Sequence, residues 1–140
     1  MISIERIRKV EIFQGLKDEE LKAASQYCQE ENVSPGTVLC EEGARADKLF
    51  ILEEGTVAIS FKKGVRFEIQ GPGKILGWSF LVPPNRYTAS AVTATPAKLL
   101  TIKSPDFYEL VNREAKIGLR IMDNLSRVVA GRLKTFVEIH

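Results

Sequence analysis

The sequence predicts a mainly β protein, an antiparallel sandwich or barrel with helices at both ends. Three observations lead there. Between residues 29 and 103, short β-rich runs alternate with glycine-bearing turns, with glycines at positions 36, 43, 55, 64, 71, 73 and 77. Turn signals at intervals of about 8–12 residues mark sandwiches and barrels. Val57, Ile59 and Phe61 alternate with Thr56, Ala58 and Ser60, the period-two pattern of a half-buried strand. On both flanks of this block the period becomes helical.

The N-terminal flank opens with Ile4 and Ile7 at helical spacing. KDEELKAASQYCQ is a clearer helix. Asp18, Glu19 and Glu20 fall in its first turn, where acids suit the helix dipole, and Leu21, Ala24 and Cys28 form one apolar face. The β block then runs through SPGTVLCEEG, DKLFILEEG, TVAISFKKG, VRFEIQGPG and ASAVTATPAKLLTIK. In SPDFYELV, Ser104 is the expected N-cap and Pro105 the first helical residue. From Glu114 to Val137 a longer helix carries two adjacent apolar stripes. Met122, Leu125, Val129 and Phe136 make one, and Ile117, Ile121 and Val128 the other. One stripe docks a helix on a barrel; a second leaves apolar surface over. The expectation is a homodimer through this helix, the alternative being that both stripes lie on the barrel. Arg113, Lys116, Arg120, Arg127, Arg132 and Lys134, with Glu114 and Asp123 among them, are expected to form a solvated face.

The chain has 140 residues, enough for one domain over 1–140. With 44% hydrophobic and 27% charged residues the balance is that of a globular protein. A net charge of +2 is too small to announce a nucleic-acid or membrane-surface partner. MISIERIRKVEIF has no uninterrupted apolar stretch of the kind a secretory signal needs. No run approaches the ~18 apolar residues of a membrane span. The expectation is a soluble, cytoplasmic protein with no membrane contact. Cys28 and Cys40 match no metal or redox spacing and are expected to be buried thiols. His140 is the only histidine, so neither a metal-centred barrel enzyme nor a Ser/His or Cys/His nucleophile is expected. Glu41, Glu42, Glu53 and Glu54 abut glycine turns and read as surface loops. No catalytic residue and no metal site is assigned.

Several landmarks occur in a telling order. They are Phe13-x-Gly15-Leu16, SPGTVLCEEG, ADKLFILEEGTVAI, GPGKILGW, YTASAV, and LLTI before DFYEL. This order resembles the cyclic-nucleotide-binding domain, the β-roll shared by catabolite-activator-type regulators, kinase regulatory subunits and gated channels. The similarity covers essentially the whole chain. It implies a jelly-roll-like β-roll over 29–103, N-terminal helices over 1–28 and C-terminal helices over 104–140. It also implies that residues 75–92, ILGWSFLVPPNRYTASAV, are the phosphate-binding cassette, whose amides point at the ligand's anionic group. The candidate ligand residues are then Gly77, Trp78, Ser79, Arg86, Tyr87 and Thr88.

Two of these depart from the family pattern. Members that bind cyclic nucleotides carry a Glu after the cassette glycine for the ribose hydroxyl, where this chain has Trp78. They carry an Arg at the start of the wall strand for the phosphate, where this chain has Tyr87. Arg86 stands one residue early, and a shift of one turns a strand side chain to the opposite face. A longer turn would bring it back as a phosphate ligand. A charge-assisted hydrogen bond contributes about 1.5–3 kcal/mol, so two losses weaken cAMP or cGMP binding by roughly two to four powers of ten. Trp78 reads either as a stacking surface for a flat ligand or as a plug. On the distal helix, where activators touch the purine, the nearest residues are Phe136 and Val137, with Ser126 and Thr135 as polar alternatives. No helix-turn-helix segment follows, so direct DNA binding is not expected.

Two function classes result. One is a regulatory module sensing a small anionic ligand, cAMP or cGMP being possible but weakened. The other is a ligand-free module, its pocket plugged by Trp78 and Tyr87, that binds a partner or a second copy through its last helix.

Overall fold

The computed structural model describes residues 2–139, with side-chain surroundings for residues 2–134. Its elements follow the expected order. Helices α1 (Ile4–Ile7) and α2 (Asp18–Ser25) flank a short 3-10 turn at Glu11–Phe13. Eight strands follow: β1 (Gln29–Val33), β2 (Val38–Cys40), β3 (Lys48–Glu54), β4 (Thr56–Ser60), β5 (Arg66–Gln70), β6 (Lys74–Leu76), β7 (Ser90–Thr93) and β8 (Ala97–Lys103). A second 3-10 turn, Trp78–Leu81, stands between β6 and β7, and helices α3 (Ser104–Arg113) and α4 (Ala115–Ile139) close the chain.

The strands form two antiparallel four-stranded sheets, ordered β1-β8-β3-β6 and β2-β7-β4-β5. This is the antiparallel β-roll with flanking helices that the sequence predicts. In β4, Val57 and Ile59 are buried while Thr56, Ala58 and Ser60 are half-buried, as the alternation requires. β3 and β8 instead bury consecutive residues, Leu49 to Leu52 and Leu99 to Ile102. Both faces of those central strands are covered, which removes the need for a polar side.

α2 starts as the acids predict, and the Glu20 carboxylate accepts the Lys17 backbone N–H at 2.8 Å. At α3 the sequence reading needs correction. Ser104 is already helical, the cap position belongs to Lys103, and no side chain caps the helix. The Ser104 N–H instead reaches back to the Asp47 carbonyl at 2.8 Å. Tertiary pairing thus satisfies one of the amide donors that the helix start leaves unpaired.

α4 is held against the N-terminal segment. Ile117, Ile121 and Leu125 are buried, and the buried Asn124 amide donates to the carbonyls of Ile12 (2.9 Å) and Gln14 (2.8 Å). The two expected stripes are divided differently. Leu125 joins Ile117 and Ile121 on the docked face, and Val128 packs half-buried beside them. Met122 and Val129 are exposed together with Leu119 and Leu133. The side chains of Thr135, Phe136 and Val137, and all of His140, lie outside the described residues. Gly73 lets the N-terminal segment approach β6. Its φ is +87°, and a Cβ there would stand 2.1 Å from the Lys9 carbonyl oxygen.

Candidate functional site

The site forms where β6 ends. Gly77, at φ +85°, turns the chain into the 3-10 turn Trp78–Leu81. Phe80 anchors that turn from inside. Its ring packs edge-on against Phe107 (5.4 Å between centroids) and Tyr108 (6.1 Å), and its carbonyl accepts the Tyr108 hydroxyl at 3.1 Å. The Asn85 side-chain amide donates to the same carbonyl. With Phe80 buried, Trp78 and Ser79 are left half-buried at the rim of a cavity.

That cavity has a volume of about 330 Å³. The cassette turn contributes Gly77, Trp78 and Ser79, and the wall strand contributes Tyr87 to Ala91. Ile59, Phe67 and Ile69 of β4 and β5 face it, and α4 supplies Val129, Arg132 and Leu133. Five of the six residues expected from sequence therefore meet at one cavity: Gly77, Trp78, Ser79, Tyr87 and Thr88. Arg86 does not join them. It is exposed, donates from Nη1 to the Gly43 carbonyl at 2.8 Å, and pairs with Arg45 through an isolated β-bridge. It lines a separate groove with Arg45 and Pro84. Strand alternation sends Tyr87 inward and Arg86 outward.

The Tyr87 phenol is buried. Its hydroxyl lies 3.1 Å from the Lys48 carbonyl and 3.2 Å from the Asp47 carboxylate, and it accepts from the Asp47 and Lys48 amides at 3.4 Å. Burial pushes its pKa up to about 12, partly offset by those backbone bonds. It is a structural tie between the wall strand and β3.

The residue that sequence reasoning missed is Arg132. Read as part of a solvated face, it instead lies largely buried, its side chain 21% exposed, against the cavity. The guanidinium carbon is 5.5 Å from the Trp78 ring centroid, and Nη2 meets Glu11 Oε2 at 3.0 Å. Burial lowers the pKa of Arg132, and Glu11 acts against that. Glu11 Oε2 also accepts the Ile75 N–H at 2.6 Å. One signal was available. Arg132 stands three residues after Val129, hence on the same helix face. The cavity lining holds no carboxylate, and Arg132 is its one formal charge among the described residues. Cys40, also in the lining, has its thiol pushed up to about 11 by burial and stays neutral. Ser126 hydrogen-bonds the Asp123 carbonyl and does not line the cavity.

Among the described residues, no cluster of His, Cys, Asp and Glu is placed to hold a metal, and no helix is long and apolar enough to cross a membrane.

The family model for the cyclic nucleotide-binding domain matches residues 30–114. The chain belongs to that family. A protein from Geobacter metallireducens GS-15 named for cyclic nucleotide binding is 33% identical, with a TM-score of 0.82, over 95% of this chain and 99% of that one. The Thermus thermophilus catabolite activator protein is 25% identical with a TM-score of 0.74, over 92% of this chain and 61% of that one. Glutaminase 2 of Bradyrhizobium diazoefficiens is 28% identical over 118 residues, 84% of this chain but only 19% of the glutaminase. A cyclic nucleotide-gated potassium channel of Mesorhizobium japonicum is 28% identical over 112 residues, 31% of its length. The chain thus spans about a fifth of the glutaminase and about a third of the channel.

Proposed function

We propose that this cyclic nucleotide-binding domain is a regulatory ligand sensor, in which a small anion enters the cavity and displaces or reorients α4. One observation carries the reading. The cavity lined by the cassette turn is also lined by Val129, Arg132 and Leu133 of α4, so an occupant touches both the recognition loop and the helix that would report it. Cyclic nucleotides fit the family, yet this site presents Trp78 and Tyr87 where their usual partners stand, and Arg86 points elsewhere. Binding of cAMP and cGMP is accordingly expected to be weak. Calorimetry with cAMP, cGMP, AMP, phosphate and small organic anions tests the reading. Saturable heat with at least one anion is expected. Silence across the panel would favour a ligand-free interaction module.

A second reading concerns α4 and is compatible with the first. Leu119 is 73% exposed, Met122 41% and Leu133 60%, an apolar face wider than a solvated helix needs. A second copy of the chain, packed helix to helix, would cover it. Sedimentation of the wild type and of a Leu119→Ser, Met122→Ser double variant tests this. A dimer lost in the variant supports the reading, and a wild-type monomer at high micromolar concentration opposes it.

A further inference from the structure

We infer that the ligand of this cavity is an aromatic carboxylate, its ring held among Phe67, Ile69 and Trp78 and its carboxylate taken by Arg132 in place of Glu11. The inference rests on the reading that the cavity holds a small anion, and it names the chemical class. The cavity is apolar apart from one cation and a few hydroxyls at its edge. A cyclic nucleotide brings ribose oxygens, ring nitrogens and a phosphodiester, and every polar atom buried without a partner costs affinity. An aryl carboxylate brings one polar group and one flat apolar face. Aromatic rings of the wall offer that face a stacking surface, with Phe61 and Phe67 6.3 Å apart between centroids.

The carboxylate has a matched partner. A guanidinium presents five N–H donors in a planar fork suited to bidentate carboxylate binding. Arg132 uses a single nitrogen, Nη2, on Glu11. Glu11 has a second donor to fall back on, since Oε2 already accepts the Ile75 N–H. Arg132 can therefore exchange one carboxylate for another without leaving Glu11 bare. The exchange loosens the only ion pair between α4 and the Glu11–Phe13 turn among the described residues, while Asn124 keeps its two bonds there. Ligand chemistry is thereby converted into a change along α4.

The test titrates the full chain with phenylacetate, with its neutral isostere phenylacetamide and with cAMP, read by calorimetry. Arg132→Gln, Glu11→Gln and Arg86→Gln are titrated alongside, after circular dichroism has verified each fold. Phenylacetate is expected to saturate. The amide, and phenylacetate on Arg132→Gln, should each bind about tenfold more weakly or worse, the loss of a charge-assisted pair. Glu11→Gln should tighten phenylacetate binding, because it removes the competing charge, and Arg86→Gln should leave it unchanged. Equal binding of amide and acid, or an unaltered affinity in Arg132→Gln, would overturn the inference. Tighter binding of cAMP, abolished by Arg86→Gln, would overturn it while leaving the ligand-sensor reading intact. Silence with all three probes would overturn the inference, and silence across the wider anion panel would remove the sensor reading with it.

Discussion

The Arg132 guanidinium stands 5.5 Å from the Trp78 ring centroid, joining the last helix to the first side chain of the cassette turn. A cation over an indole face contributes about 0.5–2 kcal/mol, more as water is excluded. Trp78 is the only tryptophan, so tryptophan emission reports the surroundings of this one side chain. Arg132→Met should shift the Trp78 emission maximum in ligand-free protein. Arg86→Met, altering a side chain that faces the other groove, should not. Identical spectra in all three proteins would mean that the contact is not maintained in solution.

Asn124 is the polar pin of α4. Asn124→Ala leaves the Ile12 and Gln14 carbonyls without their donor. Each lost bond costs about 1 kcal/mol, and the buried acceptors add to it. Urea unfolding should show a loss of about 2–3 kcal/mol. Asn112→Ala, at an exposed residue bonded within its own helix, should stay within about 0.5 kcal/mol.

Gly73 and Gly36 share a positive φ, +87° and +82°, but not their surroundings. An added Cβ at Gly36 meets nothing within 4 Å, and at Gly73 it meets the Lys9 carbonyl at 2.1 Å. Gly36→Ala should cost about 1–2 kcal/mol, the strain of the left-handed conformation alone. Gly73→Ala should cost clearly more, because backbone must move. Equal thermal midpoints for the two variants would refute the close approach.

The buried acids predict how stability falls in alkali. Burial pushes Cys28 up to about 12 and Cys40 up to about 11 from 9.0, and Tyr87 up to about 12 from 10.0. The unfolded chain loses these protons first, so over that range it binds fewer protons than the native state and stability declines with rising pH. The contribution is complete below about pH 9 and is lost progressively toward pH 12. Denaturation midpoints measured from pH 8 upward should therefore fall. In Tyr87→Phe the decline should be shallower above about pH 10. A profile that is flat or rising through this window would contradict the burial of these groups.

The β-roll was legible because its signals are local. The alternation in β4 and the glycine turns depend on neighbours in sequence, as do the acids that open α2. What the sequence could not show depends on distant partners. Ser104 has a cap's chemistry, but the helix begins one residue earlier than it would with Ser104 as cap, and the Ser104 N–H pairs with the Asp47 carbonyl across the fold. The two stripes on α4 were visible, yet their division was not. Which stripe docks depends on where the Glu11–Phe13 turn lies. Of the residues that the sequence singles out, Gly77, Trp78, Ser79, Tyr87 and Thr88 converge on one cavity, because they stand close together in the chain around a single turn. Arg132 was hidden among other basic residues, because only the packing of α4 over the cavity separates it from the solvated ones.

The most direct test of the central claim, that this cavity takes up a small anion, is a titration of Trp78 fluorescence with cAMP, cGMP, AMP and small organic carboxylates. The account predicts a saturable change with a carboxylate, and with the cyclic nucleotides no response short of millimolar concentration. An unchanged spectrum with every compound, matched by silent calorimetry, would contradict the claim and turn attention to what α4 binds. A micromolar response to cAMP that AMP does not reproduce would instead show that Trp78 and Tyr87 leave the family's usual ligand its place.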